Sequence, residues 1–298
     1  MNAEPNVCIV GSINMDLTVT TDKIPQQGET VMGSEFFANP GGKGANQAVA
    51  AARMGANVHF IGAVGDDAFG EKLLTNFANE GIQTGGVETI PETATGTATI
   101  ILSDNDNRII VAPGANHCVT PELAERHRSK IAGSDVVLLQ LEVPMETIVF
   151  TVQAATESGV PVILNPAPYQ PLPDSVLQGV HWMTPNELEA KGFAEDPLYD
   201  MIREKLIITR GDKGASFTKN GQERHVPGYG ISVMDTTGAG DTFNGALTAE
   251  IARGTAMDEA VRMANAAAAL SVTKVGAQGG MPTKQEVEAF LQERKASK

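Results

Sequence analysis

Two glycine clusters in this chain carry polar residues at spacings that suit chemistry on an anion. Gly238-Ala239-Gly240-Asp241 runs straight into Thr242-Phe243-Asn244-Gly245-Ala246-Leu247, the pattern of a loop opening a helix. In such a turn, backbone N–H groups converge on an anion at the positive end of the helix dipole. A carboxylate at that point, Asp241, can take a proton from a hydroxyl nucleophile while the amides of Ala239, Gly240 and Asp241 hold a phosphoryl group. A plain N-cap accounts for an aspartate there equally well, and such caps contribute about 1 kcal/mol.

The second cluster, Pro40-Gly41-Gly42-Lys43-Gly44, looks like a phosphate-binding P-loop only superficially. That loop needs a glycine where this chain has Phe37, and Ser or Thr where it has Gly44. The first cluster likewise puts Phe243 where a dinucleotide fingerprint needs its third glycine, and it lies late in the chain. A dehydrogenase is therefore a remote alternative. Elsewhere, Asn14 and Asp16 follow the first apolar run, where ligand-binding side chains collect in open parallel sheets. Together they suit two or three sugar hydroxyls, although a turn-forming pair explains them too. Asn186 and Glu189, spaced i, i+3, share a helical face and suit phosphate oxygens and Mg²⁺-bound water. A capping box has the same spacing.

These residues need elements to hold them. The runs 7–10, 58–61, 136–139, 162–164 and 206–208 are apolar at successive positions, as expected of strands covered on both faces. Helical patterns fall between and after them, at 44–54, 67–80, 144–158, 185–191, 241–253, 257–272 and 283–294. Strands alternating with helices imply an α/β fold with a mostly parallel sheet. Two stretches, 16–38 and 94–112, break the rhythm with Thr-rich, β-branched alternation. They read as antiparallel strands outside the core, with a hairpin turn over 104–107, and together make a small lid. No repeat or linker divides the chain, so residues 1–298 are expected to form one domain.

Several separated segments also match a known family. Gly11-Ser12-Ile13-Asn14-Met15-Asp16, Gly41-Gly42-Lys43-Gly44-Ala45-Asn46-Gln47-Ala48, Thr184-Pro185-Asn186-Glu187-Leu188-Glu189 and Asp235-Thr236-Thr237-Gly238-Ala239-Gly240-Asp241-Thr242-Phe243 resemble, in order, the motifs of the ribokinase-like carbohydrate kinases. The resemblance spans nearly the whole chain. It implies a three-layer α/β/α core under a small β-sheet lid, and transfer of the ATP γ-phosphoryl group to the 5-hydroxyl of D-ribose with Mg²⁺. Asp241 would be the general base, with the Gly238–Asp241 backbone as anion hole. Gly42, Lys43, Asn46 and Glu142 would line the sugar site with Asn14 and Asp16. Asn186, Thr209, Gly211, Gly214, Gly240 and Asn265 would bind the nucleotide, and Glu189 a magnesium ion through water. The Asp235 carboxylate and the carbonyls of Thr237, Ser271, Lys274 and Gly276 would bind an activating potassium ion. Relatives often carry serine where this chain has Gly280, which would remove one ligand. The interval between Glu189 and Leu206 is shorter than in typical members, so a helix there is expected to be trimmed or lost. A homodimer through the lids is also implied. Another small sugar or a nucleoside (deoxyribose, fructose, adenosine) is the nearest alternative substrate, and a non-catalytic sugar-binding protein a further one.

Composition frames these expectations. At 298 residues the chain can bury a large core, and 22 Lys plus Arg against 36 Asp plus Glu give a net charge of −14. That balance argues against nucleic acid as a partner. No apolar run approaches the ~18 residues of a membrane helix, and Cys8 and Cys118 read as thiols of a reducing compartment, so a cytoplasmic protein is expected. An acidic chain that binds ATP needs local devices to reverse its mean field. The Gly238–Asp241 amides, Lys43 and bound cations are the candidates.

Overall fold

The structure is a computed structural model that describes residues 4–103 and 106–296. Six strands, β1 (Asn6–Val10), β4 (Asn57–Gly65), β5 (Gln83–Ile90), β8 (Val136–Leu139), β9 (Val162–Leu164) and β10 (Trp182–Met183), form a parallel sheet. Their order is β10-β9-β8-β1-β4-β5. Side chains alternate across it, and both faces are buried. Cys8, Val10, Val137 and Leu139 pack into one apolar cluster, and Val7, Ile9, Val136 and Leu138 into another. This explains the unbroken apolar runs in the sequence.

Helices α3 (Pro121–Arg126), α4 (Arg128–Ala132), α5 (Met145–Glu157), α6 (Asp174–Gly179), α7 (Glu187–Ala194) and α8 (Tyr199–Ile202) cover the first face. Helices α1 (Lys43–Arg53), α2 (Ala68–Asn79), α9 (Ala239–Ala252), α10 (Met257–Ser271) and α11 (Lys284–Ala296) lie on the other side. The result is the expected α/β/α sandwich. Among the described residues, no helix is long and apolar enough to cross a membrane.

A second sheet contains β2 (Asn14–Thr21), β3 (Gly33–Gly41), β6 (Gly96–Ser103) and β7 (Asp106–Ala112), in the order β3-β2-β6-β7. The outer pairs are antiparallel, as expected, but β2 and β6 run parallel, with Asn14 opposite Gly96. The reason is topological. Strand β2 follows β1 and β6 follows β5, so both chains leave the parallel sheet at the same end and in the same direction. Of the turn expected over 104–107, residues 104 and 105 lie outside the described residues.

The run 206–208 departs from expectation. Strand β11 (Ile207–Thr209) touches the parallel sheet through isolated bridges, Met183 to Leu206 and Asn186 to Thr209. Its full ladder goes to β12 (Gly214–Lys219), which pairs in turn with β13 (Gln222–Pro227) in a three-stranded antiparallel sheet. Strand β10 is only two residues long and offers little to pair with, while the Gly211–Gly214 turn folds the chain back on itself. Between Glu189 and Leu206, α7 continues to Ala194 and a single-turn α8 follows, anchored by buried Phe193 and Ile202. The helix expected there is trimmed rather than absent.

Candidate active site

The first turns of α1 and α9 meet at the carboxyl end of the parallel strands. Helix α9 begins after Gly238, which adopts a left-handed conformation with φ 77°. A Cβ there would come within 2.9 Å of the Ala277 Cα, so the position requires glycine. Asp241 stands in the first turn, and its carboxylate does not cap its own helix. It turns instead toward α1. Asn46 Nδ2 donates to Asp241 Oδ2 at 3.0 Å, and Gln47 Nε2 donates to Oδ1 at 2.9 Å. A plain N-cap role for Asp241 is therefore ruled out by geometry.

The helices approach this closely because of Gly245, one turn beyond Asp241. A Cβ at Gly245 would lie 2.5 Å from both the Ala50 Cβ and the Gln47 carbonyl. Among the described residues, the Gly240 and Asp241 N–H groups find no acceptor, as the first turn of a helix leaves them. They are two unengaged donors beside the Asp241 carboxylate, free for an anion. The Ala239 amide, expected as a third donor, is turned to the Thr236 carbonyl at 3.2 Å.

Strand β2 delivers Asn14 and Asp16 to the same place, packed against the second glycine cluster. A Cβ at Gly41 would sit 2.2 Å from the Asp16 carboxyl, and one at Gly42 (φ 88°) would sit 2.8 Å from the Asn14 amide nitrogen. Asn14 Oδ1 accepts from Asn116 Nδ2 at 2.7 Å, and Asn116 Oδ1 accepts from the Ile13 N–H at 2.8 Å. Glu142 Oε2 accepts from Ser12 Oγ at 2.5 Å and from the Lys43 N–H at 3.1 Å, which ties it to the start of α1. The structure thus brings Asn14, Asp16, Gly42, Lys43, Asn46, Glu142 and Asp241 together.

This cluster has unusual electrostatics. Burial, then the neighbouring charges of Glu142 and Asp241, push the Asp16 carboxyl up to about 7. Burial also raises Asp241, opposed by Lys43 and by the hydrogen bonds from Gln47 and Asn46. For Lys43, burial acts to lower the pKa, but Asp241, Glu142, Glu189 and Asp16 together outweigh it and raise the net value. A single ammonium serves four carboxylates. A solvated lysine is not what this position holds.

The remaining candidates lie along a second arm. Asn186 Oδ1 accepts from the Leu188 and Glu189 N–H groups at 2.9 Å, and Glu189 Oε2 accepts from the Asn186 N–H at 2.8 Å. These atoms form a capping box, so what remains for a ligand is the Asn186 amide nitrogen and the other Glu189 oxygen. Thr209 ends β11, with its N–H on the Pro185 carbonyl at 2.9 Å. Gly211 and Gly214 both take positive φ, and a Cβ at Gly214 would strike the Val226 carbonyl at 2.2 Å. Asn265 is buried and donates to the Val226 carbonyl at 3.0 Å and the Pro227 carbonyl at 3.3 Å. Its nitrogen therefore ties α10 to β13, leaving its oxygen for any other contact.

The residues expected around potassium also converge in part. Asp235 Oδ1 accepts from the Thr237 N–H at 2.9 Å and Oδ2 from the Gly276 N–H at 2.8 Å. Burial acts to raise this carboxyl, but those bonds outweigh it and hold it below the usual range, hence anionic. The anionic Asp235 carboxylate is the hard oxygen donor that these residues present to a cation. At Gly280 a Cβ would lie 2.0 Å from the Ser271 carbonyl oxygen, so that oxygen occupies the space of a side chain. Among the described residues, no group of three or more His, Cys, Asp or Glu could hold a metal ion.

The sequence reading missed Gln47, Asn116, Gln140, Asn165 and Gln278. Gln47 Nε2 also donates to Asn165 Oδ1 at 3.0 Å, and Gln47 Oε1 accepts from Gln140 Nε2 at 2.7 Å. Gln278 Nε2 donates to Asn46 Oδ1 at 3.0 Å. Gln47 beside Asn46 was the available signal, since consecutive amides in a first helical turn can serve both oxygens of one carboxylate.

A parallel-sheet sandwich with a side sheet, and a buried carboxylate beside two unengaged amides at a helix start, suits a phosphotransferase. Residues 4–284 match the pfkB family of carbohydrate kinases, and the chain belongs to that family. It is 45% identical over 290 residues to a ribokinase of Bacillus subtilis (strain 168), covering 96% of this chain and 99% of the relative. It is 34% identical over 301 residues to a deoxyribokinase of Salmonella typhi, covering 96% of this chain and 98% of the relative. The structure of the Arabidopsis thaliana ribokinase complexed with ribose and ATP is similar, with a TM-score of 0.89 and 30% identity. That match covers 97% of this chain and 99% of the other.

Proposed function

We propose that this chain transfers the γ-phosphoryl group of ATP to the 5-hydroxyl of D-ribose, giving ribose 5-phosphate and ADP. The observation that carries this reading is the Asp241 carboxylate, held by Asn46 and Gln47 beside the unengaged Gly240 and Asp241 amides. The sugar hydroxyl gives its proton to Asp241 as its oxygen bonds to the γ-phosphorus. The bond from that phosphorus to the bridging oxygen breaks, and its electron pair leaves with ADP. The two amides stabilise charge on the transferring group, the larger contribution in phosphoryl transfer. Asn14, Asp16 and the free oxygen of Glu142 hold the other hydroxyls, and Lys43 balances the acidic pocket. Thr209, Gly211, Gly214, Asn186 and Asn265 line the nucleotide side. Mg²⁺ and K⁺, when bound, would supply charge neutralisation for the phosphates; Glu189 and the Asp235 segment are the residues that would hold them.

The B. subtilis and Arabidopsis relatives support ribose, and the deoxyribokinase relative makes deoxyribose the second reading. The reading takes the chain as one domain with the four-stranded sheet as lid. The free thiols Cys8 and Cys118 suit the reducing cytoplasm. The lid bares Phe36 (62%), Ile109 (54%) and Ile110 (65%), apolar exposure that suits a homodimer through this sheet. A coupled ADP-release assay over pentoses, hexoses and nucleosides tests the substrate. Ribose is expected to give the highest kcat/KM; a preference for deoxyribose overturns that assignment, and no turnover of any sugar overturns the kinase reading.

A further inference from the structure

Beyond the base itself lies a second tier of amides. Asn46 Oδ1 accepts from Gln278 Nε2 at 3.0 Å, and Gln278 Oε1 accepts from Asn76 Nδ2 at 2.9 Å. Gln278 is buried, and its backbone carbonyl accepts from Arg53 Nη1 at 2.7 Å. Arg53 is itself fixed by a two-pronged contact to Glu80, at 2.9 and 2.6 Å. The glutamine is thus anchored through both its side chain and its backbone.

An amide side chain has a polarity, with donors at one end and an acceptor at the other. An ionised Asp241 only accepts, so Asn46 must present its NH₂ group to Oδ2 and turn its oxygen away. In that buried setting the oxygen needs a donor, and Gln278 is the side chain that provides one. Reversed, Asn46 would set its own oxygen against the carboxylate. Two residues acting in series therefore fix one hydrogen bond on the base.

We propose that Gln278 is a positioning residue for Asp241, acting through Asn46. The inference rests on Asp241 being the general base. The charged groups facing Asp241 are Lys43 from α1, Glu142 after β8 and Asp16 from β2, and replacing Gln278 alters none of them. A change in the titration of catalysis would therefore report the Asn46 bond. A hydrogen bond to the charged form of a carboxyl lowers its pKa, so losing that bond moves the acid limb of kcat to higher pH.

The test uses the full chain with Gln278→Met, which keeps the length without the donor, and Gln278→Glu, which keeps the shape and still accepts from Asn76. Both are expected to lower kcat roughly tenfold, the scale of one lost hydrogen bond. In Gln278→Met, which adds no charge, the acid limb should move upward, with KM for ribose near the parental value. In an Asn46→Ala background, Gln278→Met should add less than about twofold, because the two residues act through one bond. An unmoved acid limb, or an equal loss in both backgrounds, reduces Gln278 to packing and overturns the proposal. If Gln278→Met fails to fold, Gln278→Glu decides it by its kcat loss alone, which should shrink below about twofold in the Asn46→Ala background. An Asp241→Asn variant run alongside separates the two readings: if it retains more than half of parental turnover, the base assignment fails and takes this inference with it.

Discussion

Asn46 and Asp241 stand 195 residues apart in sequence, yet Asn46 Nδ2 lies 3.0 Å from Asp241 Oδ2. This bond joins the first turn of α1, which follows the sugar-side glycines, to the first turn of α9, which presents the unengaged amides. In the proposed reaction, the contact of these two helix starts would bring the acceptor hydroxyl and the phosphoryl group together. Positioning of this kind supplies much of the barrier reduction in a two-substrate reaction.

The helix contact depends on Gly245. Gly245→Ala puts a methyl group 2.5 Å from Ala50 and the Gln47 carbonyl. It is expected to destabilise the fold by about 1–3 kcal/mol, as overpacking does, and to lower kcat by displacing Asn46 and Gln47. Thermal unfolding and steady-state kinetics check both; parental values for both would show that the helices have slack.

Asp16 titrates at about 7 in the folded chain against 3.8 ordinarily. Between those values the unfolded chain ionises while the folded chain keeps its proton. Stability therefore falls as pH rises through that window and stays reduced above it. Asp16→Asn is expected to raise Tm by roughly a few degrees at pH 8, with the gain vanishing toward pH 4, while ribose affinity drops. A parent as stable as Asp16→Asn at pH 8 would contradict the assignment.

Turnover is expected to be faster in potassium than in a cation-free organic buffer, and equal rates would remove the cation from the account. Gly280→Ser does not restore a ligand. Its Cβ would meet the Ser271 oxygen at 2.0 Å, so the variant should lose about 1–3 kcal/mol of stability with no stronger potassium activation. Parental stability with stronger activation would show that serine fits.

The bare sheet should place the chain in a dimer by sedimentation. Ile109→Asp and Ile110→Asp fall on opposite faces of β7, so one of the two should give monomers and the other should not. A monomeric parent would contradict the lid interface.

Much of this was legible in the sequence because buried strands are apolar at every position and glycine turns are compositional. Every strand expected for the core formed, yet 206–208 joined the antiparallel side sheet, because strand pairing is a tertiary choice. The β12–β13 hairpin had its own signal. Asn220-Gly221 takes positive φ at both residues, 55° and 73°, the demand of a tight hairpin turn. Of the site, the acidic and glycine residues were legible one by one. The amide tier of Gln140, Asn165 and Gln278 was not, because isolated glutamines and asparagines carry no periodic or spacing signature. Asn186 and Glu189 show the converse, since one spacing serves both a capping box and a ligand pair.

The most direct measurement is kcat for Asp241→Asn with ATP and ribose. Asparagine keeps the size of the side chain but cannot take a proton. Folding and ribose affinity should stay near parental while kcat falls at least ~100-fold, the lower end of what a positioned base contributes. A variant that keeps more than half of parental turnover would contradict the account.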